Sequence, residues 1–352
     1  MPELTYLEAI NAALHDEMEA DPRVFCLGED VGRQGGAFGA TKGVQQKYGE
    51  LRSIDTPVAE AGIAGVAIGA AMAGQRPVAE MQFGDFVSIA FDQIVTCAAK
   101  MHYRIGWAVP MVVRCPNGGG VGGGPYHSEN VEAWFHHHAG LKIVCPATAD
   151  DAYGLLRASI QDPNPVVFCE HKFLYRREKA DVATGADGRI TPIGKARVAR
   201  QGTDLSIITY ASTVRLSMAV ADVLEAEGTS VEVVDLRTLV PLDRETVLES
   251  VRKTGKAMIV HEDNLTGGFG AEVAAIVAQE AFEHLDAPVT RVAAIASASF
   301  AWAAYAWFPV VTAVTSPLST FATLSCWSRR STRNPADTSG TSASPIRTME
   351  SL

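Results

Sequence analysis

The run Glu60-Ala-Gly-Ile-Ala-Gly-Val-Ala-Ile-Gly-Ala-Ala-Met-Ala-Gly74 begins with the one charged residue between Asp55 and Arg76. It predicts a helix that starts after Thr56-Pro57, although each glycine costs a helix about 1 kcal/mol relative to alanine. That cost implies close approach of another backbone or of a ligand. A lone buried carboxyl group is costly. Glu60 is therefore expected either to meet a hydrogen-bond donor from the protein or a cofactor, or to serve only the helix dipole.

The composition limits the class of protein. A chain of 352 residues is long enough for two domains, and 47% hydrophobic with 20% charged residues is typical of a globular protein. The net charge of -10 and the lack of a basic stripe argue against nucleic-acid binding. The N-terminus lacks a signal-peptide pattern, so a cytoplasmic location is expected. Without a CxxC pair, the six cysteines indicate reduced core thiols: Cys26, Cys97, Cys115, Cys145, Cys169 and Cys326.

Short apolar runs alternate with helical stretches along the chain. A helix is expected over Thr5 to Glu19, with Thr5 and Glu8 as a capping box. This alternation predicts parallel strands with helices on both faces, and hence two α/β domains in series. The predicted strands are Val24–Leu27, Val109–Arg114, Leu141–Cys145, Pro165–Cys169, Leu205–Tyr210, Val231–Asp235 and Ala257–Val260.

The end of the chain has a different composition. No charged residue occurs from Val292 through Ser328, and the residues from Arg329 onward are rich in Ser, Thr and Pro. The first stretch is long enough for a membrane anchor over Val292 to Thr315, but its Ser, Thr and Pro content argues against one. The composition from Arg329 onward predicts disorder.

A glycine-rich segment, Gly118-Gly-Gly-Val-Gly-Gly-Gly124, precedes Pro125-Tyr-His127. So many glycines are incompatible with regular structure, and they predict a loop that moves or packs on a ligand. A dinucleotide-binding loop is not favoured, because Pro125 interrupts any following helix. His127 is expected to transfer protons or hold an anionic substrate, unless it is a loop histidine without a role.

Three further groups of residues are candidates for ligand binding. Gln82 and Phe86 suit the edge and face of a heteroaromatic ring, although Phe86 taken alone is better explained as a core residue. His136-His-His138 does not predict a metal site, because consecutive helical residues point in directions about 100° apart. Asp162-Pro-Asn164 is typical of a turn and, less often, of an oxygen-rich cation site.

Several motifs, taken in order, resemble a single family. From about residue 3 to residue 291, the chain resembles the β subunit of the thiamine-diphosphate-dependent 2-oxo acid dehydrogenase E1 component, within the transketolase-like superfamily. The resemblance implies two doubly wound domains, a pyrimidine-binding domain at 1–180 and a transketolase C-terminal domain at 195–294, joined by a linker at 181–194. The motifs are Gly28-Glu-Asp-Val31, Asp55-Thr-Pro-Val-Ala-Glu-Ala-Gly62, Phe91-Asp-Gln-Ile-Val95 with Ala98-Ala-Lys100, Tyr126-His-Ser128, Asp235-Leu-Arg-Thr-Leu-Val-Pro241, and His261-Glu262 with Gly267-Gly-Phe-Gly270.

The resemblance implies roles for the candidate residues. Glu60 corresponds to the family glutamate that hydrogen-bonds N1′ of the cofactor aminopyrimidine and so promotes loss of the thiazolium C2 proton. Gln82 and Phe86 would line that ring, and Glu29 would extend the proton relay toward the partner active site. His127 would hold the substrate carboxylate or stabilise the intermediate during acyl transfer to lipoamide. A structural potassium site is implied at Asp162 and Asn164.

One family motif is missing. The Gly-Asp-Gly sequence that binds diphosphate and Mg²⁺ is not present with its following Asn, and it belongs to the α subunit in two-subunit members. The resemblance therefore implies an α2β2 enzyme that is inactive without α and that binds Mg²⁺ mainly through α. Its further partners would be the E2 lipoyl acyltransferase and a small 2-oxo acid, with branched-chain substrates favoured over pyruvate or acetoin. A non-catalytic assembly subunit is the alternative from another class.

The tail departs from the family pattern. After Arg291 the uncharged Trp/Ala/Ser stretch replaces the expected final strand and helix. We interpret residues 295–352 as an atypical tail that arises from a shifted reading frame near residue 294, or that is disordered. This departure affects the end of the second domain and, with it, the contacts expected there with a second β subunit and with E2.

Overall fold

The computed structural model of the chain describes residues 1–294. In the first part, strands and helices alternate as predicted. Short 3-10 helices cover Gly84–Phe86 and Pro125–His127, and a π-helical stretch covers Gln93–Ala98. The other elements are β1 (Glu3–Thr5), α1 (Tyr6–Ala20), β2 (Val24–Gly28), α2 (Val44–Tyr48), β3 (Ser53–Asp55), α3 (Glu60–Met72), β4 (Arg76–Glu80), α4 (Val87–Asp92), α5 (Ala99–Ile105), β5 (Val112–Asn117), α6 (Glu132–His136), β6 (Lys142–Val144), α7 (Ala149–Gln161), β7 (Val166–His171) and β8 (Lys179–Asp181).

The second part again alternates strands with helices. A short 3-10 helix at Phe282–His284 precedes its last described strand. The other elements are β9 (Arg197–Arg200), β10 (Leu205–Thr209), α8 (Ser212–Ala226), β11 (Val231–Asp235), β12 (Thr238–Val240), α9 (Arg244–Thr254), β13 (Ala257–Asn264), α10 (Gly270–Glu280) and β14 (Thr290–Ala294).

The capping box predicted for α1 is confirmed. Thr5 Oγ1 accepts a hydrogen bond from Glu8 N at 3.2 Å, and Glu8 Oε2 accepts one from Thr5 N at 2.8 Å. Two backbone donors that a helix N-terminus leaves free are thereby satisfied. The helix buries Tyr6, Ile10 and Leu14 in a core that it shares with α7.

The first sheet has seven strands in the order β12-β6-β7-β5-β4-β2-β3. All neighbours are parallel except β12 and β6. Successive side chains point to opposite faces, as strand geometry requires. In β2, Val24 and Cys26 pack in the core on the α1 and α7 side, whereas Phe25 and Leu27 pack in the core that contains α3 and α4 residues. Helices therefore cover both faces, as the apolar strands predict.

The strand order reverses between β2 and β4. The chain runs from β2 to β3 on one side, and then returns to β4 on the other side of β2. In open α/β sheets, ligands bind outside the carboxyl ends of the strands at such a reversal. Gly28 ends β2 at this point with φ +155°, and a Cβ there would lie 2.6 Å from Glu80 O. This position therefore requires glycine for the close approach of β2 and β4.

The second sheet has five strands in the order β14-β13-β10-β11-β9, parallel except at β9. One strand of this part lies elsewhere, because β12 pairs with β6 and completes the first sheet. The core on the α3 side also continues into the second sheet through Ile208 and Val234. The residue boundaries proposed for the two domains and the linker stay a prediction.

β14 runs parallel to β13 as far as Ala294, the last described residue. The predicted tail at 295–352 and most of the candidate membrane stretch lie outside the described residues. Within residues 1–294, no helix has both the length and the apolar character needed to cross a membrane.

Candidate active site

Two predicted site residues follow the strands at the reversal. Glu29 comes directly after β2, and Gln82 follows β4 by two residues. Gln82 Nε2 lies 3.4 Å from Asp30 Oδ2, so the segments after the two strands are in contact. The sheet therefore brings Glu29 and Gln82 to the edge at which α/β folds bind ligands.

Glu29 lies in an environment that disfavours its charge. The residue is 5% exposed, and its Oε1 has no hydrogen-bond partner in the described part of the chain. Burial raises the pKa of Glu29, and the charges of Glu60 and Asp30 raise it further. Raised carboxyl pKa values are typical of groups that exchange protons in active sites.

Glu60 is the first residue of α3 and is 3% exposed. Ala59 is the N-cap residue, and no side chain caps the helix by a hydrogen bond. Among residues 1–294, no side chain or backbone group forms a hydrogen bond with the Glu60 carboxylate. Because a buried carboxyl group is costly without a partner, this arrangement favours a donor from outside the chain. The position of Glu60 in the first turn of α3 also fits the helix-dipole alternative.

Phe86 and His127 lie together. Phe86 ends the 3-10 helix Gly84–Phe86, and its ring centroid is 5.6 Å from that of His127. Phe83 contacts both rings edge to face, at 6.0 Å from Phe86 and 4.2 Å from His127. The half-buried Phe86 is therefore part of an aromatic cluster beside the loop, and not a residue of the closed core.

The glycine-rich segment is an exposed loop, as predicted. Four of its glycines have positive φ: Gly118, Gly120, Gly122 and Gly124. His127 follows on the 3-10 helix Pro125–His127, and its Nδ1 lies 3.2 Å from Gly123 O. The imidazole is half-buried, which leaves it accessible to a ligand at the strand ends.

The sequence analysis missed Asp85, which anchors this loop. Asp85 is 7% exposed, and its Oδ1 accepts hydrogen bonds from Ser128 N at 3.0 Å and Glu129 N at 3.1 Å. A short acidic residue between Gly84 and Phe86 was the available signal, because such residues commonly accept backbone hydrogen bonds.

A buried ionic cluster lies just below the reversal. Arg114 is 0% exposed, and its Nη2 donates to Glu170 Oε2 at 2.9 Å. Its Nη1 also pairs with Glu80, on the neighbouring strand β4. Tyr175 donates its hydroxyl to Glu170 Oε2 at 3.1 Å. These contacts tie together the carboxyl ends of β4, β5 and β7.

The predicted potassium ligands lie at the opposite edge of the sheet. Asp162 and Asn164 precede β7, whereas the candidate site follows the carboxyl ends of the strands. Asp162 Oδ1 accepts hydrogen bonds from Asn164 N and Nδ2, both at 2.9 Å, and Oδ2 pairs with Lys142. The Lys142 ammonium thus already neutralises this carboxylate, and potassium binding stays a prediction.

The other candidate metal ligands and thiols are accounted for within residues 1–294. This part of the chain contains no group of three or more His, Cys, Asp or Glu side chains arranged to hold a metal ion. Its five cysteines are free thiols, of which Cys97 is half-buried and the other four are buried. Cys326 lies outside the described residues.

Comparisons with known proteins agree with this geometry. Residues 2–178 match the family model of the transketolase pyrimidine-binding domain, and residues 194–308 match that of the transketolase C-terminal domain. The chain is 52% identical over 295 residues to the 2-oxoisovalerate dehydrogenase subunit beta of Bacillus subtilis (strain 168), which covers 83% of this chain and 90% of that protein. It is 46% identical over 296 residues to the pyruvate dehydrogenase E1 component subunit beta of the same organism, which covers 84% and 90%.

A solved structure shares the fold. The protein described as "Split gene transketolase, inactive beta4 tetramer" superposes with a TM-score of 0.70 over 89% of this chain and 97% of that one, at 24% sequence identity. The fold is transketolase-like, and the two domain matches with the curated relatives place the chain in a thiamine-diphosphate-dependent class of protein. Within that class, the chain belongs to the family of β subunits of the 2-oxo acid dehydrogenase E1 component.

Proposed function

We propose that this chain, together with an α subunit, decarboxylates a branched-chain 2-oxo acid and passes the acyl group to the lipoamide of an E2 acyltransferase. The observation that carries the proposal is the buried carboxylate of Glu60, which has no hydrogen-bond partner within residues 1–294 and lies near Glu29 at the strand reversal. The 52% identity to a 2-oxoisovalerate dehydrogenase subunit supports the branched-chain substrate.

The residues at the strand ends fit thiamine diphosphate. An aminopyrimidine presents ring nitrogens to hydrogen-bonding groups and a flat face to aromatic side chains, and Glu60, Gln82 and Phe86 offer these types of group. When bound, thiamine diphosphate supplies the electron sink for decarboxylation. The chain itself supplies orientation and proton transfer.

Glu60 would share a proton with N1′ of the aminopyrimidine. Its burial supports this role, because a hydrogen bond to a carboxyl group is strengthened when water is excluded. Glu29, with its raised pKa, would take up or release a proton in the same relay. Burial is the main cause of the raised pKa of Glu29, and the charge of Glu60 lies close enough to raise it further.

Phe86 and Gln82 would orient the aminopyrimidine ring by contact with its face and edge. His127 would hold the substrate carboxylate through a hydrogen bond or a positive charge. It would later stabilise the intermediate while the acyl group is transferred to lipoamide. The ring contact between Phe86 and His127 supports a shared site for cofactor and substrate.

An exposed surface beside Glu60 supports an α partner. The outward side of α3 carries small and aliphatic residues only, and a Cβ at Gly69 would meet nothing within 4 Å. Val66 on α3 is 59% exposed. Three more large side chains are exposed on the elements that follow: Ile89 on α4 at 56%, Tyr103 on α5 at 97% and Trp107 just after α5 at 54%. We assign this surface to the α subunit, which would also bind Mg²⁺ and the diphosphate.

Two alternatives, one for the substrate and one for the role of the chain, predict different experimental outcomes. Pyruvate is supported by the 46% identity to a pyruvate dehydrogenase subunit. Acetoin is a further alternative, a hydroxyketone that would be cleaved and not decarboxylated. A non-catalytic assembly subunit would need no proton relay at Glu60.

We also propose that a potassium ion binds at Asp162 and Asn164 and that the protein is located in the cytoplasm.

Reconstitution tests the proposal. The full chain is combined with an E1 α subunit, thiamine diphosphate and Mg²⁺. Decarboxylation of 2-oxoisovalerate and pyruvate, and carbon–carbon cleavage of acetoin, are followed with ferricyanide as electron acceptor. We expect turnover that needs both chains, with the highest kcat/KM for 2-oxoisovalerate. A preference for pyruvate would replace the substrate assignment. An assembled but inactive α/β pair, with a functional α subunit, would support the assembly-only role.

A further inference from the structure

The glycine-rich loop has a closed base. Gly118 N donates to Glu129 O at 2.8 Å, which joins the two ends of the segment 118–129. The tip is exposed, with Tyr126 at 76% exposure. Glycine has little conformational preference of its own, so the groups that hold the two ends determine where His127 lies.

Two carboxylates hold these ends. Asp85 Oδ1 accepts hydrogen bonds from the backbone after His127, and Glu262 Oε1 accepts one from Gly119 N at 2.7 Å. Hydrogen bonds to ionised acceptors are stronger than those between neutral groups. Asp85 comes from the first part of the chain, whereas Glu262 lies in β13 of the second sheet. The loop is thus fixed between the two halves of the protein.

Glu262 is itself held by two further side chains. Its Oε2 accepts a hydrogen bond from Ser212 Oγ at 2.7 Å and lies 2.6 Å from His171 Nε2. Phe173 N donates to His171 Nδ1 at 3.3 Å, and the ring directs its Nε2 at Glu262. Burial acts to raise the pKa of Glu262, but the His171 ring and these hydrogen bonds lower it to about 2. The carboxylate is therefore ionised at neutral pH.

We propose that Glu262 is a positioning residue that fixes the loop carrying His127 to the second domain through Gly119. The effect of this Glu262–Gly119 contact on catalysis rests on the role proposed for His127. Loss of this contact detaches Gly119 from the second sheet, whereas Asp85 and the Gly118–Glu129 hydrogen bond continue to hold the base of the loop. The 2-oxo acid should then bind more weakly, whereas cofactor binding around Glu60 should be preserved.

Limited proteolysis tests the contact without any need for activity. The full chain is treated with chymotrypsin, and cleavage after Tyr126 is followed by mass spectrometry in the wild type, in Glu262→Gln and in the control Glu249→Gln. Glu249 is an exposed glutamate on α9. We expect cleavage to be at least about tenfold faster in Glu262→Gln, the effect of losing one charge-assisted hydrogen bond. An unchanged cleavage rate in a folded Glu262→Gln protein would overturn the proposal.

Ser212→Ala provides a second variant that keeps the Glu262–His171 pair. It should accelerate cleavage a few-fold, and no acceleration would count against the proposal even if Glu262→Gln failed to fold. In the assembly with α, Glu262→Gln should raise KM for the 2-oxo acid about tenfold and change the Kd of thiamine diphosphate less than about twofold. Faster cleavage with an unchanged KM would support the positioning contact of Glu262 but contradict the role proposed for His127. The two proposals can therefore fail independently.

Discussion

The charge of Glu60 raises the pKa of Glu29, although the two residues belong to different segments of the chain. The helix α3 starts at Glu60, and β2 ends directly before Glu29, so the two carboxyl groups lie near each other only because of the fold. Burial and the charge of Glu60 thus make Glu29 hold its proton to a higher pH than an exposed glutamate does. A carboxyl group of this kind suits proton exchange in a relay.

Replacing Glu29 with Gln should stabilise the free chain at neutral pH. The folded state holds the Glu29 proton more tightly than the unfolded state, so this residue's contribution to stability is present at low pH. It is lost as the pH rises through the folded pKa. Urea unfolding should therefore give Glu29→Gln a higher free energy of unfolding than the wild type at pH 7, and little difference at pH 4. A variant that is less stable at pH 7 would contradict the assignment.

His261 should make the protein sensitive to acid. The residue is 0% exposed, neither ring nitrogen has a hydrogen-bond partner within residues 1–294, and burial with the charge of Arg291 lowers its pKa from 6.5 to about 4. As the pH falls, the unfolded state therefore binds a proton before the folded state does. The free energy of unfolding has its full value above pH 6.5 and decreases as the pH falls toward 4. At about 1.4 kcal/mol for each pH unit, the loss reaches about 3 kcal/mol.

The test is a comparison with His261→Phe, which keeps a ring against Tyr210 but cannot be protonated. The free energy of unfolding of the wild type should fall more than that of the variant between pH 7 and pH 4, by up to about 3 kcal/mol. Parallel pH profiles for the two proteins would show that His261 is not the group responsible.

Arg114→Met should destabilise the chain strongly. The substitution leaves Glu80 and Glu170 buried without their cation, and breaking a buried ion pair from one side typically costs about 3–5 kcal/mol. Urea unfolding at pH 7 measures the change. The variant should regain stability as the pH is lowered, because burial raises the pKa of Glu80 and protonation of this group removes an unpaired charge. A loss below about 1 kcal/mol would contradict the role given to this cluster.

Gly118→Ala and Gly122→Ala separate backbone strain from contact. Both glycines have φ +80°, so an added side chain strains both backbones by roughly 1–2 kcal/mol. A Cβ at Gly118 would lie 2.0 Å from His171 Nε2, whereas a Cβ at Gly122 would meet nothing within 4 Å. Only Gly118→Ala should therefore displace His171 from Glu262 and speed chymotrypsin cleavage after Tyr126. Equal cleavage rates in the two variants would show that the clash is relieved elsewhere.

The sequence predicted those parts of the fold that depend on local signals. The capping box at Thr5, the helix after Glu60 and the parallel strands all follow from spacing and apolar runs. The strand predicted at Val109–Arg114 begins instead at Val112, because Val109 O accepts a turn hydrogen bond from Met111 N. The short edge strand β12 was missed, since its conformation depends on pairing with β6 and not on its own pattern.

The same distinction applies to the candidate site. Glu29, Gln82, Phe86 and His127 were identified from motifs, and the fold places them at the carboxyl ends of the first sheet's strands. Asp85 and Glu262 act by accepting backbone hydrogen bonds from a distant loop. The local sequence marks Asp85 as an acceptor and Glu262 as part of a motif, but it does not indicate that both contact the same loop. The buried charges of Arg114 and Glu170 likewise become acceptable only when strands far apart in sequence pair.

Glu60→Gln provides the most direct test of the central claim. The variant is assembled with an E1 α subunit, thiamine diphosphate and Mg²⁺, and kcat for 2-oxoisovalerate decarboxylation is compared with that of the wild type and of Glu50→Gln, which changes an exposed glutamate. We predict a loss of at least about 100-fold in kcat for Glu60→Gln alone, with assembly and thiamine diphosphate affinity preserved. A Glu60→Gln enzyme that keeps more than about half of the wild-type kcat would contradict the account.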